Sequence, residues 1–309
     1  MIERRISRAV ITGPTGAIGT ALCLELAKHG VRVFAVCRPD SHRMGAIPNH
    51  ENITVLPCDA AQLQHLTELI PDGADAFFHL AWAHTIGAGR DNMNAQIQNI
   101  QYTIDAVRVA AALGCNVFLG VGSQAEYGRA EGVLTPQTPC FPENGYGMAK
   151  LCAGQMSRVE AQKLGIDHIW VRILSVYGPG DGPATMVSSV IQQLLAGEEP
   201  ALTEGAQQWD YLYSTDAAKA LCLAAKHGVS GKVYPLGSGK ALPLKQYIQQ
   251  LRDAINPALP LGFGRIPYGP LQVMHLQADI SELSRDTGFA PCTEFADGIR
   301  QTIEWIKRN

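Results

Sequence analysis

The chain has 309 residues, 46% of them apolar and 17% charged, with a net charge of −3. That length and balance fit one large or two modest α/β domains around a substantial core. The small charge, with no long run of either sign, argues against nucleic acid or an acidic membrane as primary partner, and no segment approaches the ~20 uninterrupted apolar residues of a membrane span.

The opening MIERRISRAVITG passes from a polar start directly into a strand pattern, without the apolar run of a signal peptide. RAVIT (8–12) reads as a buried strand, followed by a helix through AIGTALCLELAKHG. VRVFAVCR (31–38), NITVLPCD (52–59), DAFFHLAW (75–82), CNVFLGVG (115–122) and HIWVRILSV (168–176) read as further strands, most of them separated by helical stretches. Near-continuous apolar strands alternating with helices predict an α/β fold, a doubly wound parallel Rossmann-type sheet covered on both faces. After Val176 the cluster YGPGDGP breaks the texture, and the remainder mixes helices and loops with one more strand, KVYPLG (232–237). The expected layout is a dinucleotide-binding domain over 1–176 plus about 210–237, with a smaller mixed substrate lobe over 177–209 plus 238–309. The eight cysteines (Cys23, Cys37, Cys58, Cys115, Cys140, Cys152, Cys222 and Cys292) are scattered, with no C-x-x-C and no zinc-like spacing. They read as reduced thiols in a cytoplasm, several as small hydrophobes, and no metal is expected.

Between the first strand and its helix lies TGPTGAIG, where Gly13, Gly16 and Gly19 give G-x-x-G-x-x-G with Thr15, Ala17 and Ile18 in the same loop. Such glycines permit a tight turn, close approach of backbone to a pyrophosphate, and helix-on-strand packing; the pyrophosphate would rest on the helix N-terminus. An acid near the end of the second strand would select NAD. Here Cys37 and Arg38 stand there, and Arg38, helped by Ser41 and Arg43, suits a 2′-phosphate. NADP is therefore favoured and NAD, with Asp40 close by, is the alternative. Asp59 ends the third strand, where it could receive the adenine amino group or cap the next helix.

In NGYGMAKLCAGQ, Tyr146 and Lys150 stand four apart, so both polar tips emerge on one helix face. Together with TGPTGAIG, HLAW, GSQAEYG, RILSVYGPGD, QQWDYLYSTDAAKAL, YPLGSGK and LSRDTGFAPCTEFADGIRQTIEW, in that order, this chain resembles the extended short-chain dehydrogenase/reductases, in particular their nucleotide-sugar branch. The resemblance implies a catalytic Ser123, Tyr146 and Lys150, and cofactor contacts from the glycine loop, Arg38, Asp59, Ala60, Leu80, Ala81 and Trp82 as well as from Tyr146 and Lys150. The chemistry is coherent. An isolated phenol titrates near ~10, and a neighbouring ammonium stabilises its phenolate, so Tyr146 could pass a proton at neutral pH while Ser123 orients the substrate oxygen. Asn99 resembles a helix asparagine with a supporting role, and His79 a core residue.

The chain also departs from the pattern. Members that dehydrate a sugar carry Asp-Glu after the catalytic Ser/Thr; here those positions are Gln124 and Ala125, and Glu126, one residue late, should point elsewhere. Ser175 stands where many members have an asparagine near the diphosphate, and Trp209 where many have an arginine; Trp209 would stack on a base or sugar, or simply pack. Arg172 is expected to pair within the structure, and His84 to face the cofactor cleft, so His84, Gln124, Ser175 and Trp209 are the candidate substrate contacts. No G-x-S-x-G elbow supports a hydrolase. The expected function is reduction of a 4-keto nucleotide-diphosphate sugar, in deoxysugar synthesis, with a nucleotide-sugar 4-epimerase holding NAD as the alternative and a non-catalytic dinucleotide sensor as the third reading. The resemblance implies a homodimer through the helices near 92–113 and 145–164.

Overall fold

A computed structural model describes residues 3–309. In chain order its strands are β1 (Arg8–Thr12), β2 (Arg32–Cys37), β3 (Ile53–Pro57), β4 (Ala76–His79), β5 (Val117–Ser123), β6 (Asp167–Ile173), β7 (Ser175–Tyr177), β8 (Gln208–Trp209), β9 (Tyr211–Tyr213), β10 (Val233–Leu236), β11 (Leu242–Pro243) and β12 (His275–Leu276). The helices are α1 (Ala17–Lys28), α2 (Leu66–Leu69), α3 (Met93–Ala112), α4 (Gly145–Leu164), α5 (Met186–Leu195), α6 (Ser214–His227), α7 (Leu244–Ile255), α8 (Ser281–Thr287) and α9 (Phe295–Arg308).

Seven strands form one parallel sheet in the order β3-β2-β1-β4-β5-β6-β10. The order reverses between β1 and β4, and in open α/β sheets the crevice beyond the strand ends at such a point takes the ligand. The expected doubly wound sheet is thus present, and the apolar strands explain it. Val10, Phe77 and Phe118 pack on one face with α3, while Ile11, Phe78 and Leu119 pack on the other with α1 and α6. Leu283 and Phe289, from α8 and the residue after its cap, join this second cluster.

Two ends differ from the predicted ones, and both differences shape the site. β4 stops at His79, and residues 80–83 leave the sheet instead of extending it. The sixth run breaks at Leu174: β6 ends at Ile173, and Ser175–Tyr177 pair with β9 in a separate two-stranded sheet. A three-stranded sheet, β11-β8-β12, and an apolar cluster containing Val190, Ile191, Ile248, Leu251, Ile299 and Ile303 complete the molecule. Among the described residues no helix is long and apolar enough to cross a membrane.

Candidate active site

Glycine lets the two halves of the site meet. A Cβ on Gly147 would lie 2.3 Å from the Ala125 carbonyl oxygen, so only glycine allows the first turn of α4 to press against the 3₁₀ turn Gln124–Glu126 that follows β5. Asn144 caps α4, its Oδ1 accepting from Gly147 N at 2.9 Å, and Asp91 Oδ1 accepts from Gly145 N at 2.8 Å. This contact brings the Tyr146 phenol close enough to Ser123 for the serine side chain to act on it. Ser123 is also the cap of the 124–126 turn, its Oγ accepting from Ala125 N at 3.2 Å.

Burial is the largest influence on the Tyr146 phenol and pushes it above its ordinary value; the neighbouring Ser123 side chain and the charge of Arg90 pull the other way. The Arg90 guanidinium lies 4.8 Å from the centre of the Tyr146 ring. Arg90 is therefore a cation beside this phenol that the sequence reading missed. Lys150 is 3% exposed, donates to the Val121 carbonyl at 2.7 Å and lies 3.8 Å above the centre of the Trp82 ring. Burial lowers it to about 7, against the opposing influence of Glu126. Trp82 meets Tyr146 edge-on at 6.2 Å, so the indole contacts both residues that the i, i+4 spacing had paired. No sequence pattern flags Arg90; the only signal was a cation in the segment between HLAW and α3.

Glu126, expected to point elsewhere, turns into the core. It is fully buried, accepts from Ser123 N at 2.8 Å and from Trp170 Nε1 at 3.1 Å, and pairs with Arg172 Nε at 2.6 Å. Asn99 holds both backbone groups of Ala83 at 3.0 Å, and Gln96 accepts from Trp82 Nε1 at 2.9 Å while donating to the carbonyls of His84 and Gly89. His79 is buried between the hydroxyls of Thr12 (2.9 Å) and Thr103 (3.3 Å), and burial pushes it down to about 3. His84 is exposed, at a positive φ of 58°. Gln124 is half-buried on the turn. Ser175 and Trp209 bond to each other, Trp209 Nε1 donating to Ser175 Oγ at 2.8 Å, and the indole packs between two apolar clusters.

The glycine loop has the shape of a phosphate cradle. A Cβ on Gly19 would fall 2.1 Å from the Gly13 carbonyl oxygen, and one on Gly13 would fall 2.8 Å from Ala81 N, whereas one on Gly16 would meet nothing within 4 Å. Gly16 heads α1 with no side-chain cap, leaving the first-turn N–H groups, those of Ala17 and Ile18 included, to face that open space beside Thr15. The residues thus fit a dinucleotide pyrophosphate. Leu80 N and Ala81 N bond to Thr12, at the rim of the cradle. Asp59 caps the 3₁₀ helix that begins at Ala60, accepting from Ala61 N at 2.9 Å. Arg38 is exposed, while Arg43 reaches across to donate to the Gly180 carbonyl at 2.9 Å. A Cβ on Gly180 would sit 3.7 Å from Ala17 Cα, so the YGPGDG loop lies against the head of α1. A cavity of about 660 Å³ lies between residues 127–143 and 272–275, with Arg129, Phe141 and His275 in its wall.

Comparison with known proteins agrees with this picture. The profile of the NAD dependent epimerase/dehydratase family matches residues 9–237. The chain is 23% identical to a dTDP-glucose 4,6-dehydratase of Streptomyces niveus, covering 80% of this chain and 74% of that one. Among solved structures it resembles a UDP-N-acetylglucosamine 4-epimerase from Methanobrevibacter ruminantium M1 in complex with UDP-N-acetylmuramic acid (TM-score 0.88, 22% identity, covering 100% and 99%). It also resembles a UDP-glucuronic acid 4-epimerase from Bacillus cereus in complex with NAD (TM-score 0.85, 21% identity, covering 97% and 99%).

Proposed function

Since the chain belongs to the NAD-dependent epimerase/dehydratase family, we propose that it inverts C4 of a nucleotide-diphosphate sugar, keeping NAD bound through the cycle. The observation carrying this reading is the hydroxyl pair Ser123–Tyr146 with no carboxylate free beside it. The acid on that turn, Glu126, is buried on Arg172. A site with one proton-passing phenol can oxidise and reduce a carbinol, but it lacks the extra acid and base that expelling water from the neighbouring carbons requires.

Gly13, Thr15, Gly16, Ala17, Ile18 and Gly19 would hold the pyrophosphate, Asp59 and Ala60 the adenosine half, and Leu80, Ala81, Trp82, Tyr146 and Lys150 the nicotinamide half. When bound, the nicotinamide would supply the hydride chemistry, taking hydride from C4 and, once the keto sugar has turned over, returning it to the opposite face. Tyr146 would act as the phenolate that Arg90 and the positive charge of a bound oxidised nicotinamide would favour. It would take the proton of the 4-hydroxyl as the carbonyl forms and give it back when the carbonyl is reduced, while Ser123 holds the same oxygen in line. The Arg43–Gly180 bond supports retention, because it straps the segment after β2 to the loop lying on α1. The 660 Å³ cavity is of a size to take the nucleotide.

One observation favours the ketoreductase reading instead. Arg38 is exposed at the end of β2, where a 2′-phosphate would meet it and no acid stands. Denaturing freshly purified protein and identifying the released nucleotide separates the two. Stoichiometric NAD supports epimerisation; an empty site that prefers NADPH to NADH supports reduction and makes Arg38 the reader of the phosphate. In either case Tyr146→Phe lowers turnover by roughly 10²- to 10⁴-fold, and an unchanged rate would sink both.

A further inference from the structure

Arg90 carries a charge that no group among the described residues answers. It sits on the 3₁₀ turn Gly87–Asp91 with its guanidinium over the Tyr146 ring, and its Nε is buried without a hydrogen-bond partner. The neighbouring acids are committed elsewhere: Asp91 Oδ1 accepts from Gly145 N, and Glu126 pairs with Arg172. A buried donor left open is unfavourable unless a ligand completes it. Local rearrangement is restricted as well, because Gln96, 2% exposed, ties Trp82, His84 and Gly89 into one unit around the turn.

Resting on the nucleotide-sugar reading above, we propose that Arg90 binds a carboxylate on the sugar itself, so that the substrate is a nucleotide-linked uronate. A planar guanidinium matches a carboxylate with two parallel hydrogen bonds. The position of the cation selects the source of the anion. The reacting C4 must lie at the Tyr146 hydroxyl. In a uronate the carboxylate hangs from C5, the next ring atom, whereas the diphosphate leaves from C1 on the far side of the pyranose. A guanidinium lying on the tyrosine ring is thus placed for the near anion.

The test compares UDP-glucose with UDP-glucuronate, and the matching dTDP pair, on the NAD-loaded enzyme and its Arg90→Met and Arg90→Lys variants. Turnover is followed together with calorimetric binding, and the melting temperature checks folding. The wild type should favour the uronate by roughly tenfold or more in kcat/KM, and Arg90→Met should lower the uronate value by roughly 10- to 100-fold, mostly through KM. The neutral sugar should move by less than about threefold, and Arg90→Lys should restore part of the preference. Equal losses on both sugars would assign the diphosphate to Arg90 and overturn the proposal. So would a wild type that prefers the neutral sugar while Tyr146→Phe still abolishes turnover, an outcome that leaves the epimerase reading standing. Uronate binding that depends on Arg90 without any turnover sustains the anion site and sinks the epimerase. Binding of neither sugar overturns the proposal.

Discussion

Glu126 is fully buried, and its carboxylate meets Arg172, the Trp170 indole and the backbone N–H of Ser123. Removing one partner of such a pair strands the other charge, which costs about 3–5 kcal/mol. Glu126→Ala should therefore lower stability by that amount in chemical denaturation, and a change below about 1 kcal/mol would show that the pair is not held as described. Lys150 presents the opposite case, a cation whose burial opposes folding. Its folded value, about 7, lies below the ordinary 10.5, so between those pH values the unfolded chain holds the extra proton and stability rises with pH. Comparing wild type with Lys150→Met isolates this contribution. The wild type should gain on the variant by up to roughly 4 kcal/mol from pH 7 to 10, and a difference that is flat with pH would refute the shift. The residues of the site were unevenly legible. Tyr146, Lys150 and Ser123 stand in motifs that sequence alone displays, whereas the late position of Glu126 said only that it points elsewhere, not that it is buried on Arg172. Arg90 left no trace, because a cation over an aromatic face joins residues 56 positions apart in sequence (146 − 90) through a turn without periodicity.

At the scale of elements, the three glycines of the cradle serve different ends, and substitution should separate them. An Ala at position 19 would drive its methyl into the Gly13 carbonyl, and both groups are backbone. Gly19→Ala should cost stability whether or not cofactor is present. Gly16 has extended backbone (φ −84°) and open space where a Cβ would go. Gly16→Ala should fold with an unchanged melting temperature in cofactor-free protein yet weaken NAD binding by tenfold or more (about 1.4 kcal/mol), because its methyl enters the space proposed for the pyrophosphate. Equal affinity in the two proteins would place the pyrophosphate elsewhere. The long elements were readable because apolar runs and helical periods persist across them. The two-residue strands β8, β11 and β12 were not, since so short a segment has no period and is fixed by its pairing partners. The early end of β4 was hidden for a related reason: Leu80, Ala81 and Trp82 are apolar, yet they leave the sheet to meet Gly13, Thr12 and Lys150.

For the whole molecule, the sheet gathers the elements of the candidate site beyond its strand ends and leaves large apolar side chains exposed on α3 and α4. Met148, Cys152, Met156 and Val159 follow one another at helical spacing on the exposed side of α4, with Met156 49% and Ile97 of α3 64% exposed. A cluster of large apolar side chains on two adjacent helices marks an association surface, and a second copy of this chain is the occupant we propose. Two copies meeting face to face would form a four-helix contact, an isologous arrangement in which each stripe covers the other. The same helices carry Tyr146, Lys150, Asn99 and Gln96, so a dimer would brace the elements that hold the site. Met156→Glu with Val159→Glu places charges at the centre of that contact and should yield monomers in sedimentation at micromolar concentration, where the wild type should sediment as a dimer. Turnover should fall by less than the loss from Tyr146→Phe, because neither side chain is among the proposed site residues. A wild type that sediments as a monomer would leave the stripe without its proposed partner, and a variant that remains dimeric would place the contact on another face.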